Sequence, residues 1–275
     1  TGPYRLRDWK SFEYTLLERN DNYYLQKPSI PYIFIQQSTG GLLSYESGDT
    51  DIKGVSLASI DRVLDPKEPL NAELRTGVSL CTDYLVFDVT QPPFDDVKVR
   101  QAFSMAFDRQ KYINVVLHGA ALPAKGLYPP ALPGYNPNLK GLPYDVEEAR
   151  KLLSESKYGG ADKLPAITFS QSGTGYYVNL DTAALVQMWQ DALGVTINIE
   201  SLDSNNYYDQ ISKGNHGQIF SGGWCADYPD PENFADVLFH SDAESNHGNY
   251  SNPELDAILE QARTEQDVDK RIQLY

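Results

Sequence analysis

Apolar positions along the chain follow two periods. Tyr14-Thr15-Leu16-Leu17 and Tyr32-Ile33-Phe34-Ile35 are β-branched and aromatic runs set apart by Pro28 and Pro31, which confine strands to the intervals between them. Gly48-Asp49 supplies a turn before Asp51-Ile52, so residues 1 to about 75 are predicted to be strand-rich. Tyr84-Leu85-Val86-Phe87 is a further strand, ending at Pro92-Pro93. The period then changes to that of a helix: Val99, Ala102, Phe103, Ala106 and Phe107 share one face, with Asp95 or Asp96 as cap. Asp108 caps a second helical segment that ends at Gly119.

From Leu122 to Pro143 prolines and glycines come too often for a regular element, and a long irregular loop is expected. Alternation then resumes. Asp145 and Glu148 stand at capping-box spacing ahead of Val146, Ala149, Leu152 and Leu153, and Gly159-Gly160 stop that helix. A strand around Ala166 to Ser170 is followed by a helix from about Tyr177 to Leu193, closed by Gly194. Val195, Ile197 and Ile199 alternate with polar residues as a half-buried strand, and helix and strand alternate once more through Gly214 to Trp224. This βαβα order predicts an α/β domain, a mixed sheet with helices on its faces, and the chain carries no internal sequence repeat.

Composition narrows the function classes. Hydrophobic residues make up 41% and charged residues 22%, ordinary for a globular protein, and no run approaches the ~20 apolar residues of a membrane helix. A formal net charge of -15 leaves no basic stripe for phosphate backbones, so nucleic acid is not an expected partner. The 19 tyrosines supply broad amphipathic surfaces. The chain opens Thr1-Gly2-Pro3-Tyr4 without methionine or leader, and Asp267 caps a stripe of Val268, Ile272 and Tyr275 that stops while still apolar, so both ends read as internal to a longer protein.

The densest candidate chemistry is Gly222-Gly223-Trp224-Cys225-Ala226-Asp227-Tyr228-Pro229-Asp230-Pro231-Glu232. Two glycines ahead of the tryptophan let another backbone approach closely, and Asp227 stands where it could meet a cation. That combination suits an extended peptide. Asp230, before Pro231, also reads as a helix cap. Calcium ligation by Asp227, Asp230 and Glu232 fits no calcium-loop spacing, and no metal site is expected. Hydrolase motifs are absent; the four histidines (His118, His216, His240, His247) lie in loop-like or polar stretches, and Gly173-Thr174-Gly175 is only a weak anion-binding turn. An acid-base pair of Asp227 and Asp230 is the remaining enzymatic alternative. Cys81 and Cys225, by number alone, leave both free thiols and one disulfide open.

The run Pro92-Pro93-Phe94-Asp95-Asp96-Val97-Lys98-Val99-Arg100-Gln101-Ala102, followed by Asp108-Arg109, resembles the signature of family 5 extracellular solute-binding proteins, the group of oligopeptide and dipeptide receptors. Thr1-Gly2-Pro3-Tyr4-Arg5-Leu6, Ser47-Gly48-Asp49-Thr50-Asp51-Ile52, and Tyr144-Asp145 with Ala149-Arg150-Lys151-Leu152-Leu153 reinforce the likeness in the family's order. The resemblance implies a type II periplasmic-binding-protein-like architecture, with residues 1–75 a portion of lobe one, 80–265 the ligand-binding α/β lobe two, and 266–275 the start of a return segment. It implies an extracytoplasmic receptor, periplasmic or lipid-anchored, that captures peptides between lobes and delivers them to the permease of an ABC importer. Such a receptor is a monomer without cofactor or catalytic residues. Oligosaccharide or metal-chelate binding on the same scaffold is the alternative, with Trp224 stacking a sugar ring.

Residue by residue, Gly223-Trp224-Cys225-Ala226-Asp227-Tyr228 is most similar to the oligopeptide receptors, whose aspartate takes the peptide's α-ammonium group, a role that passes to Asp227. The resemblance also pairs Cys81 of Leu80-Cys81-Thr82 with Cys225, implying an oxidising compartment. The candidate ligand-binding residues are then Gly222, Gly223, Trp224, Cys225 and Asp227, with Tyr84, Ser221 and Lys213. The last two depart from the pattern, standing where those receptors carry an arginine and a histidine near the ligand's carboxylate, and Asp88 replaces the usual asparagine.

Overall fold

A computed structural model describes residues 2–37, 40–174 and 177–275 of the 275. It divides the chain into two compact units, Thr1–Leu74 and Arg75–Tyr275.

The first unit opens with an antiparallel sheet in the order β1 (Tyr4–Lys10), β2 (Tyr14–Arg19), β3 (Tyr32–Gln36). Leu16 lies opposite Phe34 and Leu17 opposite Ile33, so the two apolar runs pair with each other. Beyond the sheet the expectation of strand-rich structure is wrong. The second half of this unit is helical, with α1 (Leu43–Glu46), α2 (Leu57–Leu64) and a 3-10 turn at Pro69–Glu73. In α2 the spacing of Ile60, Val63 and Leu64 buries Val63, and Asn71 reaches back to donate to the Val63 carbonyl at 3.0 Å.

The second unit is built on one four-stranded mixed sheet. Its elements run β4 (Cys81–Phe87), α3 (Val97–Met105), α4 (Arg109–Val115), α5 (Val146–Glu155), β5 (Ile167–Ser172), α6 (Leu180–Leu193), β6 (Ile197–Leu202), α7 (Tyr207–Ser212), β7 (Ile219–Cys225), α8 (Glu232–Phe239), α9 (Pro253–Thr264) and α10 (Val268–Leu274). Strand order is β4-β7-β5-β6, antiparallel between β4 and β7 and parallel across β7-β5-β6. The caps read from the sequence are made: Asp96, Asp108 and Asp145 accept from the amides of Lys98, Lys111 and Glu148. The long loop contains no helix or strand among the described residues. α6 begins three residues later than expected, because Gln171 accepts from the Asn179 amide and holds that segment extended. Gly175, part of the weak anion-binding turn, lies outside the described residues.

Each face of the sheet carries its own core. On one, Leu85, Phe87, Phe169 and Ile219 pack against α3, α5 and α6, where Phe94, Phe103 and Trp189 are fully buried and the Trp189 indole donates to the Phe103 carbonyl at 2.8 Å. On the other, Val86 and Phe220 meet Tyr207 and Ile211 of α7, while Tyr84 and Trp224 meet Phe234 and Leu238 of α8. Burying one such aromatic side chain stabilises by about 2–3 kcal/mol, so the sheet that carries the motif is held from both sides. The histidines are not all solvated: His240, at the end of α8, is buried, with Nε2 3.6 Å from Glu260 Oε1.

Candidate functional site

The site grows out of a fork in the sheet. β5 pairs with β6 along its whole length, to Ser172 opposite Leu202, but with β7 only through Phe169–Ile219 and Ser170–Phe220. Past Phe220, β7 continues beside β4 alone, and the flank left by β5 is open. Tyr207 sits in the crotch of the fork, donating its hydroxyl to the Ser221 carbonyl at 3.0 Å, with the Ser170 carbonyl 3.4 Å away. Burial pushes that phenol up to about 12, so it stays a donor at neutral pH.

The register of β4 against β7 decides which backbone groups face the open flank. The flanking amides of Ala226 and Asp88 donate to the carbonyls of Leu80 and Gln218, so Thr82–Trp224, Tyr84–Gly222 and Val86–Phe220 are the hydrogen-bonded pairs of this ladder. Ser221, Gly223 and Cys225 alternate with them and turn their N–H and C=O groups away from β4. The 4.0 Å Cα separation of Cys81 and Cys225 agrees with a close, non-hydrogen-bonded pair. The structure joins these two cysteines in a disulfide, which fastens the end of β7 to its neighbour.

The two glycines serve different purposes. A side chain at Gly222 would meet the Tyr84 ring at 2.7 Å, so this glycine admits Tyr84 over the strand. Tyr84 is half-buried, and burial pushes its hydroxyl up to about 12, with smaller contributions from Tyr208 and Asp83. At Gly223 the space of a side chain is taken by the Asp83 carboxylate, 2.9 Å from the Cβ position. Together Ser221, Gly222 and Gly223 of β7, Asp83 of β4 and Ser172 of β5 border a recess of about 290 Å³, with Tyr208 on its α7 side.

Asp227 lies two residues past β7, exposed, with no hydrogen-bonding partner for its carboxylate among the described residues. Its position is set through its backbone. Asn233, buried on α8, accepts from the Asp227 amide at 2.9 Å and from the Trp224 indole at 3.2 Å. One amide side chain therefore ties down two residues of the motif. Asp230 is engaged elsewhere: both its oxygens take the Arg271 guanidinium, at 2.6 and 2.9 Å, and Oδ1 accepts from the Glu232 amide just ahead of α8, whose N-cap position is Pro231. Arg271 holds the Asp230 carboxyl below the ordinary range, against the opposing effect of burial.

The structure thus gathers Ser221, Gly222 and Gly223 at the recess, with Tyr84 packed over Gly222, Cys225 at the end of the same strand and Asp227 two residues beyond it. Trp224 packs into the α8 core instead of facing the recess. Lys213 caps the end of α7, exposed and paired with Asp209 at 2.7 Å, away from the recess lining. Asp83, Tyr207, Tyr208 and Asn233 were not singled out from the sequence; for Asp83 and Tyr208 the signals were their places next to Tyr84 and in the Tyr207-Tyr208 pair. Among the described residues, no three His, Cys, Asp or Glu side chains gather as metal ligands, and no helix is long and apolar enough to cross a membrane.

Comparison with known proteins places the chain among binding proteins. The profile of bacterial extracellular solute-binding proteins, family 5 Middle, matches residues 1–246. The oligopeptide-binding protein OppA of Bacillus subtilis is 27% identical across 99% of this chain, which covers 52% of that protein. The periplasmic oligopeptide-binding protein OppA of Escherichia coli is 29% identical across the whole chain, covering 51% of that protein. The Escherichia coli murein tripeptide binding protein MppA superposes with a TM-score of 0.78 at 25% identity, covering 100% of this chain and 54% of that one. The chain spans about half the length of the curated relatives it matches.

Proposed function

The chain belongs to the bacterial extracellular solute-binding proteins of family 5, with the type II periplasmic-binding-protein fold, and from that premise we propose that the intact protein captures peptides by strand addition beside β7. The observation that carries this reading is the open flank of β7, where Gly223 and Cys225 present backbone groups that β5 no longer pairs. Backbone pairing gives affinity without sequence choice. Asp227, whose carboxylate has no hydrogen-bonding partner among the described residues, takes the peptide's α-ammonium group, a charge-assisted bond worth roughly 1.5–3 kcal/mol. An ammonium at the C-terminal end of β7 requires the ligand to run antiparallel to it, toward the fork.

Residues 1–75 then belong to lobe one, 80–265 form lobe two, and 266–275 begin the return toward lobe one. A bound ligand favours the receptor state that holds it best by its differential affinity, and that state delivers it to an ABC permease. The role is one of binding, not catalysis: Asp230, the partner an acid-base pair would need, is held by Arg271. An oligosaccharide reading needs the face of Trp224, and that ring is packed against α8 with its N–H bonded to Asn233. The Cys81–Cys225 bridge and the periplasmic Escherichia coli relative both support a place outside the cytoplasm. Mass spectrometry of ligand released from natively purified full-length protein tests the substrate class: a mixture of peptides is expected, and a sugar or metal chelate as the sole released species overturns the reading.

A further inference from the structure

Resting on the strand-addition reading, we propose that Asp83 is a specificity-determining residue of this cleft, selecting peptides with a lysine or arginine side chain at the position that faces Gly223. Asp83 and Gly223 are directly opposed across β4 and β7, so their side-chain positions share one face of the sheet. Because residue 223 has no side chain, the Asp83 carboxylate extends over it, to 2.9 Å from where a Cβ would stand. A ligand strand antiparallel to β7 sets its own side chains on the same face as the residues they oppose, with Cβ positions roughly 4.5–5.5 Å apart. The ligand residue facing Gly223 therefore points toward the face on which Asp83 lies, within reach of a long basic side chain.

The electrostatics agree. The recess lining contains Asp83 and no lysine or arginine. Lys213 is neutralised by Asp209 outside it. On the Asp83 side of the sheet the Tyr112 hydroxyl is pushed up to about 12, by burial first and then by the carboxylates of Asp181 and Asp83. A carboxylate from the ligand, whether a side chain or a nearby chain end, is repelled there, which is discrimination against the wrong partner as much as attraction of the right one.

The test is calorimetry on the full-length protein with free-amino alanine pentapeptides in which one lysine, and separately one glutamate, is moved through each position. One lysine position is expected to bind about three- to tenfold tighter than the all-alanine peptide, the gain shrinking at high salt, with glutamate weakest at that same position. Asp83→Asn should erase both effects, read as the ratio of lysine- or glutamate-peptide to all-alanine affinity within the same variant, and Asp83→Lys should reverse the preference. A flat lysine scan, or a preference that survives both substitutions, overturns the assignment even though alanine peptides bind. If no peptide in the panel binds, strand addition itself fails and the inference falls with it.

Discussion

Asn233 is the residue whose removal probes the site's construction most sharply. Its side chain is 3% exposed and its Oδ1 takes two donors, the Trp224 indole and the Asp227 amide. Asn233→Ala leaves both without an acceptor. Each lost bond of this kind costs about 1 kcal/mol, and the vacated volume beside Phe234 adds roughly another 1 kcal/mol, for a total of about 2–4 kcal/mol. Asn233→Leu restores the volume and isolates the hydrogen-bond part, about 2 kcal/mol. Because the Asp227 amide is released, peptide affinity should fall by about tenfold in both variants, less than on removing the Asp227 carboxylate itself. Urea unfolding followed by tryptophan fluorescence, with peptide calorimetry on the full-length protein, reads the two effects separately. Stability within 0.5 kcal/mol of wild type, taken as roughly the scatter of neutral substitutions, together with unchanged affinity, would refute the reasoning that Asn233 positions the motif.

Three other outcomes follow from the geometry. Gly222→Ala drives a methyl group to 2.7 Å from the packed Tyr84 ring, so the ring must shift; a loss of about 1–3 kcal/mol is expected in urea unfolding. The Asp230 carboxyl titrates below its unfolded value of about 3.9 because Arg271 grips it, so its contribution is complete above that pH and disappears as pH falls through the lower folded value; Asp230→Asn should flatten that limb of a stability–pH curve and leave a uniformly less stable protein above it. Cys81 and Cys225 close a loop of sequence separation 144, so protein denatured without reductant should show no titratable thiol, and the double serine variant should lose up to roughly 4–5 kcal/mol in the chain-entropy description.

What was legible in the sequence was what local chemistry decides. Asp96, Asp108 and Asp145 cap helices at the places their spacing indicated, and Ala102, Phe103, Ala149 and Leu153 are buried as their period required. α2 was missed because its apolar face is one short stripe interrupted by Ser59, Asp61 and Arg62, following a segment rich in turn signals. The motif around Asp227 could be located but not assembled. Trp224 faces a helix that begins eight residues later, and the acceptor for its indole sits on that helix. The fork depends on where β5 stops pairing with β7, a contact between residues 50 positions apart that no local pattern encodes. Asp83 acquires its meaning only from the register that sets it opposite Gly223.

A peptide whose amino terminus is held at Asp227 while its backbone extends β7 must lose affinity when that amine is blocked. Calorimetry on the full-length protein, comparing a free-amino peptide with its N-acetylated twin in wild type and Asp227→Asn, tests it most directly. Binding about ten- to a hundredfold tighter is expected for the free amine in wild type, matching a charge-assisted bond of roughly 1.5–3 kcal/mol, with no difference between the two peptides in the variant. Equal affinity of the two peptides for the wild-type protein would contradict it.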